Sequence, residues 1–218
     1  MFFRYCVERG RISVNPAENI PYPKINKKVD QKRRLNQQEC LCLLKAAAAM
    51  GLEYYTLIYT LLSSGGRPDE VINLLASEID SYMGCLYMEG KTDLRRRPLV
   101  DGLKETLDMY FNTHYYRTLS KKSEEDYVFF SMDKADGSSL NNSELNKIIN
   151  KVAIKAGINQ RITAYWFRVS FANLLYFNGV HKTKVQQLMD HDKIETTEIY
   201  LVPKKGDSVF NMLEESSG

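Results

Sequence analysis

Val185-Gln186-Gln187-Leu188-Met189-Asp190-His191, followed nine residues later by the end of Thr196-Thr197-Glu198-Ile199-Tyr200, is the most informative part of this chain. One tyrosine near the end would mean nothing by itself, because the chain has 14. The context gives it meaning. Val185, Leu188 and Met189 fall three and four residues apart, the period of an amphipathic helix, and His191 follows that helix. A second helical pattern over 195–201 puts Thr197 one turn before Tyr200 on the same face.

Three further motifs lie upstream. In Ser63-Ser64-Gly65-Gly66-Arg67-Pro68-Asp69-Glu70 the two glycines allow a sharp turn, and Arg67 stands at a helix start. A guanidinium there can fork onto two phosphate oxygens, with helix N–H groups assisting the anion. Glu70, one turn on, can hold the arginine or support the helix N-terminus. In Glu89-Gly90-Lys91-Thr92-Asp93, before Arg95-Arg96-Arg97-Pro98-Leu99, Lys91 falls in or near a hairpin turn, where an ammonium can donate a proton to a leaving oxygen. In Ile162-Thr163-Ala164-Tyr165-Trp166-Phe167-Arg168, Thr163 is placed to cap a helix, and Tyr165 and Arg168 share a face while Trp166 turns toward the core. Each motif alone also suits a structural or solvated role. The ordered set does not: two arginines, a lysine, a histidine and a tyrosine read as the parts of a site that attacks a phosphodiester.

The rest of the chain frames these motifs. Residues 2–9 read as a helix that stops at Gly10. Pro21-Tyr22-Pro23 and the basic run after it read as a linker. A domain begins near Leu35, where Asn36 and Glu39 form a capping pattern for a helix through Met50. An apolar helix follows over 54–62, and Pro68 opens the next one. Short runs around Ile79, Tyr87 and Arg97, separated by Gly84 and Gly90, predict a small antiparallel sheet. Helical patterns return at 101–113, 142–156, 164–178 and 182–189, with Gly157 and Gly179 as ends. Tyr127-Val128-Phe129-Phe130 is a short strand or a buried loop. The expected fold class is therefore α+β, mainly helical, with a small antiparallel β-sheet among the helices.

With 218 residues, 44% hydrophobic and 26% charged, the chain is long enough for one well-cored domain with extra segments and is too apolar for a disordered one. No apolar run reaches the ~20 residues that span a bilayer. Cys6, Cys40, Cys42 and Cys85 lack metal-type spacing and read as reduced thiols of a cytoplasmic protein. The net charge of +3 says little, but its distribution says more. Lys24, Lys27, Lys28, Lys32, Arg33 and Arg34 crowd one segment, and Lys91, Arg95, Arg96 and Arg97 another. Solvated surface explains either cluster alone; beside a phosphodiester site, Lys27, Lys28, Lys32, Arg33, Arg34, Arg95 and Arg96 become candidate phosphate contacts.

The four motifs together resemble the tyrosine recombinase (phage integrase) family over about residues 35–205. That family has Thr-Gly-x-Arg-x-x-Glu, here Ser64 to Glu70. It has a hairpin lysine before a basic segment ending in Pro-Leu, here Lys91 before Pro98-Leu99. It has Thr-x-His-x-x-Arg, here Thr163 to Arg168, with Tyr165 in place of the histidine. It ends in Leu-Gly-His and Thr-Thr-x-x-Tyr, here Met189-Asp190-His191 and Thr196 to Tyr200, with Asp190 in place of the glycine. A tyrosine with a pKa near ~10 is a poor general base at neutral pH, so Tyr165 is expected to orient or bond the phosphate instead.

The resemblance implies site-specific strand cleavage and rejoining of double-stranded DNA. Tyr200 attacks a phosphate, a 3′-phosphotyrosine forms, Lys91 protonates the leaving 5′-oxygen, and Arg67, Arg168 and His191 stabilise the developing charge. It implies no cofactor and no metal ion, self-association on DNA as a tetramer, an accessory directionality factor, no membrane, and a mobile element as the context. It also implies that residues 1–34 are the end of a DNA-clamping domain with its basic linker, that 35–205 are the catalytic domain and that 206–218 are a tail. A resolvase or invertase shares the chemistry, and a catalytically impaired DNA-binding or regulatory protein of the same fold is the alternative that the Tyr165 and Asp190 departures support.

Overall fold

The computed structural model describes residues 2–16, 18, 34–89, 94–121, 126–131, 134, 136–190, 194, 197 and 201. The chain divides into two units, Met1–Asp30 and Gln31–Gly218. In the first, helix α1 (Phe2–Glu8) ends at Gly10, whose φ of 64° only glycine adopts freely. Phe2, Phe3 and Tyr5 are exposed on it, and Cys6 is buried.

The second unit begins with Leu35, whose N–H donates to Ser170 Oγ at 2.7 Å. Asn36 caps α2 (Gln37–Ala48): its Oδ1 accepts from Glu39 N at 2.8 Å, and Glu39 returns a bond to Asn36 N at 2.7 Å. This is the reciprocal cap expected from the sequence, and it satisfies two otherwise orphaned N–H groups. α3 (Leu52–Ser64) carries Leu57, Ile58, Leu61 and Leu62 into the core, and α4 (Pro68–Ile72) starts on a proline that has no N–H to lose. The three-stranded antiparallel sheet follows in the order β1 (Ile79–Asp80), β2 (Cys85–Glu89), β3 (Leu94–Pro98), as expected. Leu86 faces Arg97 and Met88 faces Arg95 across the β2–β3 ladder.

Then come α5 (Asp101–Phe111), α6 (His114–Leu119), α7 (Asn142–Lys155), α8 (Ala164–Phe177) and α9 (Lys182–Met189). All but α6 match the sequence periodicity. α6 is six residues capped by Thr113, too short to show a repeat. The Tyr127–Phe130 segment is a buried loop with single bridges from Tyr127 to Leu75 and from Phe130 to Ser139. The expected helix over 195–201 lies largely outside the described residues: Thr197 is helical and Leu201 is not.

The large core is built from α2, α3, α5, α7, the sheet and the start of α8, with Tyr110, Tyr116, Phe129 and Phe130 stacked edge and face at one end. Burial pushes the Tyr110, Tyr115 and Tyr116 phenols up, the last two to about 12, so they remain neutral packing groups. A small second cluster holds Phe171, Ala172, Val185 and Met189, with Leu201 packed against it. α8 belongs to both, through Trp166 and Phe167 in the first and Phe171 and Ala172 in the second. All four cysteines are free thiols. Among the described residues no helix is long and apolar enough to cross a membrane.

Candidate active site

The Arg67 turn is shaped by its two glycines. Gly65 ends α3 at φ 61°, and a Cβ there would come within 2.3 Å of the Phe171 ring. Gly66 donates to Ser64 Oγ at 3.1 Å, and a Cβ on it would meet Met88 Sδ at 2.9 Å. Arg67 is thereby set as the residue before α4. Glu70 is buried beneath it: Oε2 accepts from Arg67 N at 2.8 Å, and Oε1 accepts from Arg67 Nη1 at 2.7 Å and from Arg95 Nη1 at 3.0 Å. The carboxylate both caps α4 and fixes two guanidinium groups, in the supporting place expected of it. The Arg67 side chain remains 39% exposed, so part of its fork faces outward.

Arg168 is buried on α8. Its Nη1 donates to Gly65 O at 2.6 Å and its Nη2 donates to Met189 O. One guanidinium therefore ties the Arg67 turn to the end of α9, the residue pair before His191. Burial, and after it the positive charges of Arg67 and Arg97, push its pKa down to about 10, which still leaves it fully protonated at neutral pH. Tyr165 is exposed on the first turn of α8, and a phenolate there would raise the Arg168 pKa, so the two groups do share a field. Trp166 and Phe167 are core, as expected. Thr163 stands at the N-cap position, but its side chain makes no capping bond; Ala164 N donates instead to Asn146 Oδ1 at 3.2 Å.

The basic run on β3 divides by strand parity. Arg96 faces out, near Met83 O at 3.5 Å, whereas Arg95 and Arg97 face in with Met88 and Leu86. Arg97 Nη2 donates to Asp190 Oδ2 at 2.5 Å and lies 3.9 Å from Glu70 Oε2, and Arg95 Nε lies 3.7 Å from Asp190 Oδ2. Burial lowers the Arg97 pKa, and the Asp190 and Glu70 charges oppose that shift. Three guanidinium groups, of Arg67, Arg95 and Arg97, thus meet the two carboxylates of Glu70 and Asp190, with Arg168 beside them on main-chain carbonyls.

Two expected DNA contacts need correction on position. Arg34 is only 2% exposed, over the Phe177 ring at 5.7 Å, so it does not present its charge to a solvent-side phosphate. Arg95 is turned inward onto Glu70 for the parity reason above. Arg96 keeps the exposure such a contact needs. Lys27, Lys28, Lys32, Arg33, Lys91, His191 and Tyr200 lie outside the described residues. The neighbours of Tyr200 are placed: Thr197 is fully buried, and Leu201 packs on the small cluster. Arg97 and its pairing with Asp190 were not singled out in the sequence, although period-two parity in β3 was the available signal. Among the described residues no three His, Cys, Asp or Glu side chains gather as metal ligands.

The phage integrase family model matches residues 33–206. The tyrosine recombinase XerD of Staphylococcus aureus (strain Mu50) is 30% identical over 203 residues, covering 91% of this chain and 67% of that protein. XerD of Listeria monocytogenes serotype 4b is 29% identical, also covering 91% of this chain and 67% of that protein. This chain therefore spans about two thirds of the length of these relatives. The crystal structure of XerA recombinase superposes with a TM-score of 0.71 at 23% identity, over 85% of this chain and 65% of that one. The Tn1549 transposon integrase, in complex with a circular intermediate DNA, superposes with a TM-score of 0.70 at 16% identity, over 98% of this chain and 75% of that one. With its fold, its arginine pair and the family match over residues 33–206 in agreement, this chain belongs to the phage integrase family of tyrosine-type site-specific recombinases.

Proposed function

We propose that this chain cleaves and rejoins double-stranded DNA at specific sites, with Tyr200 as the nucleophile. The observation that carries the reading is the pair of hydrogen bonds that Arg168 donates, to Gly65 O on one side and Met189 O on the other. It gathers the Arg67 turn, α8 and the end of α9 at one point, and their charge is that of a phosphate site. In the reaction, the Tyr200 oxygen attacks phosphorus and passes its proton to water, the bond from phosphorus to the 5′-oxygen breaks, and Lys91 protonates that oxygen. The new 3′-phosphotyrosine keeps the energy of the broken ester, so a 5′-hydroxyl from another strand can reverse the step without ATP. Arg67 and Arg168, with His191, meet the charge that grows on the non-bridging oxygens, and the fixed mounts of the two arginines mean that little reorganisation opposes the step.

Around this chemistry we place the exposed Arg96 and the basic run Lys27, Lys28, Lys32 and Arg33 on DNA phosphates, and a tetramer of protomers on paired sites. The context is a mobile element, integrated or excised with a directionality factor, in the cytoplasm. The segments 1–34 and 206–218 are assigned to a DNA-embracing linker and to assembly. Resolution or inversion would use the same site. A catalytically impaired DNA-binding role has less to support it, because the Asp190 carboxylate is turned onto Arg97 and not left facing a phosphate.

Relaxation of supercoiled plasmid in EDTA without ATP, with detergent trapping of covalent protein–DNA adducts, tests the reading. Relaxation and adducts are expected from the wild-type chain and neither from Tyr200→Phe. Activity retained in Tyr200→Phe would contradict the assignment.

A further inference from the structure

Asp190 closes α9 in left-handed backbone, at φ 45° and ψ 53°, and it is the one non-glycine with positive φ among the described residues. Glycine adopts this conformation freely, and aspartate and asparagine tolerate it better than most L-residues.

The carboxylate has a defined partner. Arg97, its side chain 2% exposed, donates to Asp190 Oδ2 at 2.5 Å, and Arg95 Nε lies 3.7 Å from the same oxygen. Arg97 is itself braced by Glu70, the residue that holds Arg67. On the other side of the same peptide, Met189 O accepts from Arg168. The chain is therefore gripped twice, by side chain and by main chain, immediately before His191.

We propose that Asp190 is a positioning residue, its carboxylate latched by Arg97 and Arg95 so that the backbone leading to His191 is held against the Arg67–Glu70–Arg168 cluster. The latch joins the β-hairpin to the end of α9, which are otherwise distant in sequence. It acts through His191 and rests on the strand-cleavage reading above.

Asp190→Asn and Asp190→Gly test it. Asparagine tolerates the left-handed backbone but lacks the charge, and glycine relieves the strain but lacks the side chain. Three quantities are read: the single-turnover rate of adduct formation, DNA affinity by anisotropy, and amide hydrogen exchange in a peptide covering 188–194. Both variants should form adduct on the order of tenfold or more slowly, the cost of an ill-placed catalytic group. DNA affinity should stay within about twofold, and exchange in the 188–194 peptide should quicken. A backbone-only role predicts that Asp190→Gly reacts and exchanges as the wild type does, and that result would overturn the latch. A wild-type chain that forms no adduct would contradict strand cleavage instead; the exchange data would still decide the latch, since unchanged exchange in both variants refutes it.

Discussion

Arg67 and Arg168 are mounted on the large core, through α3, α4 and the start of α8, whereas the rest of α8 and α9 meet in a cluster of four buried apolar residues among those described. The first region is fixed by packing and by bonds with partners far apart in sequence: Arg168 to Gly65 across 103 positions, Arg97 to Asp190 across 93. Those same arginines also hold the end of α9 in the second, through Met189 O and Asp190, and Leu201 packs on its cluster. Groups that stabilise transition-state charge gain most from being immobile before the reaction begins, which is what the mounts of Arg67 and Arg168 provide.

The comparison can be broken in several ways. The largest effect is expected from Arg168→Lys. An ammonium cannot hold two carbonyls in a fork and still face a phosphate, so adduct formation should fall about 10²–10³-fold in single-turnover assays. A rate within threefold of wild type would mean that the two hydrogen bonds of Arg168 are not central. Next come two truncations in the two cores. Leu61→Ala, in the large core, should cost about 2–5 kcal/mol and lower the global melting temperature. Val185→Ala, in the small cluster, removes two methyl groups, worth about 1.5 kcal/mol, and should appear as faster amide exchange at α9 with little change in global melting. Equal effects on global melting would make the two regions one cooperative unit and remove the contrast.

The smallest effect sharpens the picture on the rigid side. Glu144 accepts from Ser131 Oγ at 2.6 Å and from Asn141 N at 2.9 Å, and these bonds, the hydroxyl first, hold its carboxyl below the usual range. Its folded-state pKa is depressed, so its contribution is present above the ordinary glutamate value near ~4.3 and is lost as pH falls through the folded value. Glu144→Gln should therefore destabilise by about 1 kcal/mol at pH 7, with the two melting curves converging as pH falls below the ordinary glutamate range. A penalty that is independent of pH would place its cause in shape and not in charge.

Much of this arrangement was legible in the sequence because it depends on short-range rules. The Asn36–Glu39 pair specifies the start of α2, Pro68 the start of α4, and glycines 65, 157 and 179 the ends of α3, α7 and α8, each through backbone chemistry local to a few residues. The order of motifs placed Arg67, Glu70 and Arg168 on their elements. What was not legible depends on which way a short strand faces. Arg95-Arg96-Arg97 reads as one basic patch, and only pairing with β2 shows that two of the three point inward. Arg34 likewise reads as the end of a basic linker until Phe177, far along the chain, is seen beneath it. Asp190 read as a liability beside a phosphate because its partner, Arg97, was not identified from local sequence.

The central claim is that Tyr200 makes the covalent bond to DNA beside this arginine cluster. Peptide mapping of the trapped adduct by mass spectrometry tests it most directly. The account predicts a nucleotide phosphate on Tyr200, attached through the 3′ end of the cleaved strand and leaving a free 5′-hydroxyl. A phosphate on Tyr165 or any other residue, or attachment through a 5′ end, would contradict it.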